Sequence, residues 1–493
     1  MNARFSTLLL ASLLWTSTAL AQITETKLVS GEGILFGQAV AVAGDRAVVG
    51  VGLLEGNAAY SYRRIGDAWV EQGMLVPADG TDAEGFGSSV AMTEAYAIVG
   101  APLFDHGGAT NGGASYLFER DGDSWAEQTR VAPSDVDGQD DSGTSVAVSG
   151  DYAIVGAPKH NGIGFDSGAA YIFERVGESW IQQAKLVASD EAANDEFGIA
   201  VSISGDYAIV GAWRDDDTAA GSGSAYVFKR TDDVWIEQTK LTVSDGGAGA
   251  SFGFAVGLSG DYALVGSTLA DGGLALTGAA YVFKRDGDDW VLQDKLAAED
   301  GVPSDFFGVS VAIDDDFAVI GSFNADGSSP GTGAAYVFNR QGSTWTQIAK
   351  LAASDGGAVD LFGGAVAISD DCALVGAEGS NTARGAAYAY CGFAALVSTQ
   401  DGVPDSLHLA SIYPNPTTST ATVGFTLPTA EEARVEVFDL LGRHVATLAD
   451  GQRASIALRW TRRGCRVGSM WCGSRRRLPH SPSVSRSRGN RHG

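Results

Sequence analysis

A chain of 493 residues with 66 glycines and 45% hydrophobic side chains exceeds one ordinary domain and suits many short strands joined by tight turns, not disorder. The net charge of −27 is uneven: 11 Arg and no acid follow Gly451, so the first 451 residues carry 22 basic against 60 acidic side chains, or −38. Such a surface excludes nucleic acid and anionic membrane as partners and favours solubility or cation binding.

The N-terminus reads as a signal peptide over residues 1–21. Arg4 gives a positive start, Leu8 to Leu14 an apolar stretch, and Ala19-Leu20-Ala21 a small-x-small cleavage site before Gln22. No later segment approaches the roughly 20 apolar residues of a membrane span. The sequence thus predicts an exported, soluble protein.

Over residues 22–393 one unit recurs. Phe-Gly stands at Phe36, Phe86, Phe197, Phe252, Phe307 and Phe362, with Ser142-Gly143 in the one vacant place, and every step from Ser142 onward has the same length. Each unit reads as four strands. Around Asp261 these are Phe252 to Ser259, a Gly260-Asp261 turn of the kind hairpins prefer, Tyr262 to Gly266, then Gly278 to Arg285 after a long loop, and Trp290 to Leu296. First strands are small and apolar, as suits crowding at a central axis. Fourth strands carry Lys185, Lys240, Lys295 and Lys350, read as guards against edge-to-edge pairing.

Radial repetition of four-stranded units predicts an all-β fold, a seven-bladed β-propeller. Seven sets of first to third strands meet only six fourth strands, those starting at Trp69, Trp125, Trp180, Trp235, Trp290 and Trp345. Ile23 to Val29 ends in the same Lys-Leu and is expected to complete blade seven, closing the ring as a stacked solenoid would not require. Cys372 and Cys391 bracket the last hairpin and fall opposite each other if Ala377 pairs with Ala386. An exported protein permits a disulfide there, with two buried thiols as the alternative.

The Phe-Gly motif followed by Gly-Ala-Pro, whole at Gly100-Ala101-Pro102 and Gly156-Ala157-Pro158, resembles the FG-GAP repeats of integrin α-chain propellers. In those repeats a long Asp-rich loop between the first two strands holds calcium. Here that connection is only a pair such as Gly205-Asp206, so the family's calcium site does not carry over.

The short turns share one face and the long loops the other. The long loops hold 27 Asp or Glu against Lys159, Arg214 and Arg384. Asp135, Asp137 and Asp141 sit in a stretch whose alternate acids imitate calcium loops, though without the EF-hand spacing. Asp215 and Asp217 form a second cluster. These five are the candidate Ca²⁺ ligands, with solvated acidic loops as the other reading. His106 and His160 are accompanied by no nucleophile motif or phosphate loop. The expected function is a monomeric, non-catalytic binding or adhesion module for a protein or glycan ligand; the alternatives are an extracellular carbohydrate-active enzyme or a structural surface protein.

After a linker at 394–410, Tyr413-Pro414-Asn415-Pro416, two alternating strands and Leu440-Leu441-Gly442-Arg443 resemble the C-terminal (type A) sorting domain of the type IX secretion system. That resemblance implies passage across the outer membrane by this export machinery, and a small, incomplete β-sandwich over 411–458. Residues 459–493 are Arg- and Ser-rich without acids, and read as a disordered tail translated out of frame. A sorting signal broken in this way would leave the protein in the periplasm instead of at the surface or in the medium.

Overall fold

The computed structural model describes residues 23–397, apart from 31–34, 52–57, 79, 81–83, 107, 274–275 and 381–383, together with six strands beyond residue 407. The expected signal peptide and most of the expected linker lie outside the described residues. The chain falls into two compact units, Met1–Ala395 and Leu396–Gly493.

The first unit is a seven-bladed β-propeller. Each blade is an antiparallel four-stranded sheet in sequential order. Blade four is representative: Ala200–Ser204, Tyr207–Ala212, Ser224–Thr231 and Val234–Leu241. Blade seven has three strands of its own, Val366–Ser369, Cys372–Ala377 and Ala386–Cys391. Its fourth is Thr24–Leu28, which pairs antiparallel with the third, Thr24 opposite Cys391 and Leu28 opposite Ala387.

The core is divided among seven seams. Every hydrophobic cluster joins two neighbouring blades, as where Ile209, Ala225 and Val227 of blade four meet Val265, Tyr281 and Phe283 of blade five. The Phe of each Phe-Gly pair is fully buried there and meets a third-strand Tyr edge-on, with ring centroids 5.3–5.6 Å apart. Such pairs contribute about 0.5–1.5 kcal/mol beyond burial. Fourth-strand Trp rings reach back to the preceding blade, Trp235 to Tyr152 and Trp290 to Tyr207.

The short-turn face is closed by a second recurring contact. Arg175, Arg230, Arg285 and Arg340 each pair with the turn Asp of their own blade, Asp151, Asp206, Asp261 and Asp316. Each guanidinium also lies over a Tyr ring of the preceding blade, Arg230 at 4.4 Å from the Tyr152 centroid. The acid remaining in the shortened turn is therefore an arginine partner.

In blade seven Cys372 takes that Tyr position, and Arg64 of blade one donates to its sulfur at 2.8 Å. Cys372 lies opposite Cys391 in the register that pairs Ala377 with Ala386, and the two sulfurs are bonded at 2.04 Å.

The C-terminal unit is likewise all-β. Thr420–Thr426 pairs with His408–Tyr413 and Ser455–Thr461, and Glu432–Asp439 with His444–Gln452 and Met470–Arg476. The last of these strands lies within 459–493, the basic segment expected to be a disordered, out-of-frame tail. Backbone pairing demands no polar–apolar alternation, so MWCGSRR adds to a sheet edge although its side chains carry no strand signature.

Non-reduced peptide mapping should recover Cys372 joined to Cys391. Reduction should lower stability by roughly 3 kcal/mol for a closed loop of this length, read as a fall in denaturant midpoint. An unchanged midpoint would show that the crosslink does not restrain the unfolded chain.

Candidate functional site

The long-loop face is built from the loops between second and third strands and those between consecutive blades. Its acids have three recurring structural roles. In the loops between second and third strands Asp105, Asp216, Asp271 and Asp326 accept from the backbone N–H of Asn111, Gly221, Leu276 and Gly331, at 2.6–3.0 Å. In four of the interblade loops one Asp caps its own turn: Asp140, Asp195, Asp305 and Asp360 accept from the backbone N–H of Asp137, Ala192, Val302 and Gly357, at 2.7–2.8 Å.

A second Asp ties the incoming loop to the outer strands of the next blade. Asp135, Asp190, Asp245, Asp300 and Asp355 recur at the same regular step as Phe-Gly and accept from Lys185, Lys240, Lys295, Lys350 and Lys27, at 2.5–2.7 Å. In four of the five, the third-strand Tyr hydroxyl (Tyr226, Tyr281, Tyr336, Tyr388) donates to the same carboxylate. Burial pushes Asp190 up, but the bonds from Lys240 and Tyr226 outweigh it and hold the carboxyl below its ordinary value. The fourth-strand lysines are thus loop anchors, not the edge guards the sequence suggested. The regular step was the available signal for Asp190 and its equivalents; four of their lysine partners stand almost a whole repeat further along the chain, the fifth, Lys27, stands near its start, and they meet only in the fold.

This geometry redistributes the five calcium candidates. Asp135 is the Lys185 partner. Asp137 lines an open cavity of about 890 Å³ between blades two and three, with His106, Thr110, Ser134 and Gln139. Asp141 is half-buried, with a left-handed φ of 53°. Only Asp215 and Asp217 converge: with Asp190 they are the one carboxylate group among the described residues whose ligand atoms lie within 4.8 Å of one another. The cation at its centre is already present, because Lys240 Nζ donates to all three. Burial opposes the Lys240 charge, yet these bonds raise its pKa. The residues do not fit a resident divalent ion, and no function is derived through one.

His160 belongs to a related network. Its Nδ1 lies 3.0 Å from the fully buried Asp140 and its Nε2 2.7 Å from Lys185 Nζ, which also meets Asp135. One ammonium therefore links the loop tie of blade three to the turn cap.

At the axial edge of this face Glu196 collects three donors: Lys159 Nζ at 2.5 Å, Trp213 Nε1 at 2.7 Å and Arg214 Nη1 at 3.0 Å. Sequence reading missed this hub, since nothing in the spacing of these residues links them. Beside it, burial raises the Asp141 carboxyl to about 6 against the pull of Lys159, with Asp166, Asp140 and Glu196 adding to the rise.

Two measurements follow from these charges. Lys240→Met leaves three carboxylates facing one another and should cost roughly 3 kcal/mol. Its Tm should rise in millimolar Ca²⁺, while the wild type should melt alike in Ca²⁺ and EDTA; a calcium-stabilised wild type would mean the ion displaces the ammonium. For Asp141 the folded state keeps a proton that the unfolded chain has released. Its contribution is full below about pH 4 and lost as pH rises through about 6. Asp141→Asn, which suits the left-handed backbone, should therefore gain on wild type in Tm at about pH 7.5 and lose that gain near pH 4.

The FG-GAP repeat family matches residues 69–118, 125–173, 180–228, 235–283, 290–338 and 345–390, more than half of the chain. Each match starts at a fourth-strand Trp and so runs across a blade boundary. Blade one, preceded by Thr24–Leu28 in place of a Trp-started strand, lies almost wholly outside these frames. The secretion system C-terminal sorting domain matches residues 411–462. No curated protein matches the chain. Among the described residues no helix is long and apolar enough to cross a membrane. With its six matched repeats folded into a closed propeller and a sorting domain behind them, this secreted or cell-surface chain belongs to the FG-GAP repeat family.

Proposed function

We propose that the protein is a non-catalytic binding module that offers the long-loop face of its propeller to a ligand at the cell surface. The observation that supports this reading is an asymmetry between the two faces. On the short-turn face four blades repeat one Asp–Arg–Tyr contact, which holds blades together. On the long-loop face, beside the recurring turn caps, loop Asp bonds and lysine ties, other positions differ from blade to blade. The residue before each Phe-Gly position is Leu35, Gly85, Asp141, Glu196, Ser251, Phe306 and Leu361 in turn. Packing cannot explain that variety at one structural position, and recognition loops on a rigid scaffold commonly carry it.

Purified full-length chain should bind saturably to at least one member of a panel of extracellular polysaccharides and surface proteins, with no product released. Degradation of a bound polysaccharide would replace this reading with that of a carbohydrate-active enzyme. Absence of binding across the panel would leave a structural surface protein.

A further inference from the structure

Aromatic residues that build the propeller recur at fixed repeat positions: the Phe of Phe-Gly, the third-strand Tyr and Phe, the fourth-strand Trp, and the Tyr opening the second strand. Trp213, Phe254, Phe306 and Phe323 do not. They fall on blades four, five and six, at the inner end of the long-loop face. Trp213 follows the second strand where blades two and three have Pro102 and Pro158, and Phe323 holds the same place in blade six. Phe254 follows Phe252-Gly253, and Phe306 precedes Phe307-Gly308. All four are partly exposed. Trp213 meets Phe254 across the blade junction, centroids 5.6 Å apart and planes at 89°. Phe306 and Phe323 stack at 5.1 Å with planes 10° apart.

We propose that this arc is a binding site for a neutral polysaccharide, with the two aromatic pairs as stacking platforms and the exposed Arg214 guanidinium, held in place by Glu196, as the group that takes up sugar hydroxyls. The proposal rests on the binding-module reading and gives its ligand class. Three further observations carry it.

The first is backbone strain. All seven residues before the Phe-Gly position have left-handed φ, between 53° and 78°. Glycine or Asp suits that conformation, as Gly85 and Asp141 do; a bulky aromatic there is an outlier. Phe306, at φ 58°, is held against its own preference, and such strain gathers at ligand clamps.

The second is a fixed polar partner. Glu196, 3% exposed and itself at φ 54°, holds the Trp213 indole and the Arg214 guanidinium in place. Arg214 lies 4.4 Å from the Trp213 ring centroid and is half exposed. A pyranose ring offers an apolar C–H face and a rim of hydroxyls, so a partly exposed aromatic beside an exposed guanidinium fixed by a buried carboxylate matches both parts.

The third is charge. With 27 acids on the long loops a polyanionic chain is repelled. At this arc Glu196 is already neutralised by Lys159 and Arg214, so a cationic peptide gains little from it. A neutral polymer is left. The Trp213–Phe254 platform lies at the junction of blades four and five and the Phe306–Phe323 platform on blade six, while blade five has Ser251 and Thr268 where blade six has Phe306 and Phe323; two platforms suit an internal stretch of a chain and not a single sugar.

The test uses full-length chain in affinity electrophoresis and calorimetry against neutral polysaccharides (glucan, mannan, xylan, galactan), acidic polysaccharides and extracellular proteins. Trp213→Ala and Phe306→Gly should each weaken neutral-glycan binding by about tenfold or more. Phe306→Gly relieves the left-handed strain and should melt no lower than wild type, which separates lost binding from lost folding. Ile181→Ala, at an exposed outer-strand position, should bind as wild type does. Neutral-glycan binding that survives both arc substitutions would overturn this assignment and leave the binding module standing. So would binding confined to acidic glycans or proteins. No binding to any of them would overturn both.

Discussion

The structure depends on how closely two backbones can approach at a blade seam. At the junction of blades four and five, Phe252 N–H donates to Ser222 O at 2.9 Å, and Gly223 bridges Phe252 in parallel. Gly253 has φ 88°, and a Cβ there would fall on the carbonyl oxygen of Ser224. A Cβ on Gly211 would fall on the carbonyl oxygen of Gly253. Two glycines thus let the strands interlock main chain to main chain, and the Phe252 ring is sealed beneath them. The seam between blades seven and one has the same hydrogen bond, Phe36 N–H to Arg384 O at 3.0 Å. A ring of seven wedges tolerates little error per joint, and a joint made of backbone varies least.

Closing that ring requires the N-terminal strand to act as a fourth strand, and its chemistry is that of the other blades. Lys27 takes the place of Lys350 and its equivalents, meeting Asp355 from the loop of blade six and lying over the Tyr388 ring. Burial opposes the Lys27 charge, yet the bonds with Asp355 and Tyr388 leave its pKa raised. A single exposed pair of this kind contributes about 0–1 kcal/mol. The seams make it positional: each tie acts on a loop whose two ends are already fixed, so little entropy remains to oppose it. Where the closing blade loses its Tyr, Cys372 and its partner supply a covalent link in the same region.

The fold was legible because one repeat length holds from Ser142 to Phe362 and is nearly kept before it. It located the strands, the displaced fourth strand and the pairing of Ala377 with Ala386 that sets Cys372 opposite Cys391. The site was legible only in part. Asp135 to Asp141 imitates a calcium loop when read along the chain. Read across the repeats, Asp135 aligns with Asp190 and Asp245, and Asp140 with Asp195 and Asp305. The first is a lysine partner and the second a turn cap. A linear motif cannot reveal that Lys240, from the far end of the following repeat, has its ammonium among the carboxylates of Asp190, Asp215 and Asp217.

In a repeat protein the pattern that reveals the fold conceals the function. Whatever recurs seven times maintains the ring, and averaging over the repeats strengthens that signal while erasing the exceptions. Trp213, Phe254, Phe306 and Phe323 vanish in such an average, because each stands in a column otherwise held mostly by small, aliphatic or charged residues. Their common location on three consecutive blades emerges only when each departure is placed on the ring. The left-handed backbone before every Phe-Gly position sharpens the point: the seam imposes that conformation on all seven blades whatever the side chain. A glycine in each would have been easiest for the fold. That only blade two has one implies that the side chains around this mouth answer to something other than the stability of the propeller.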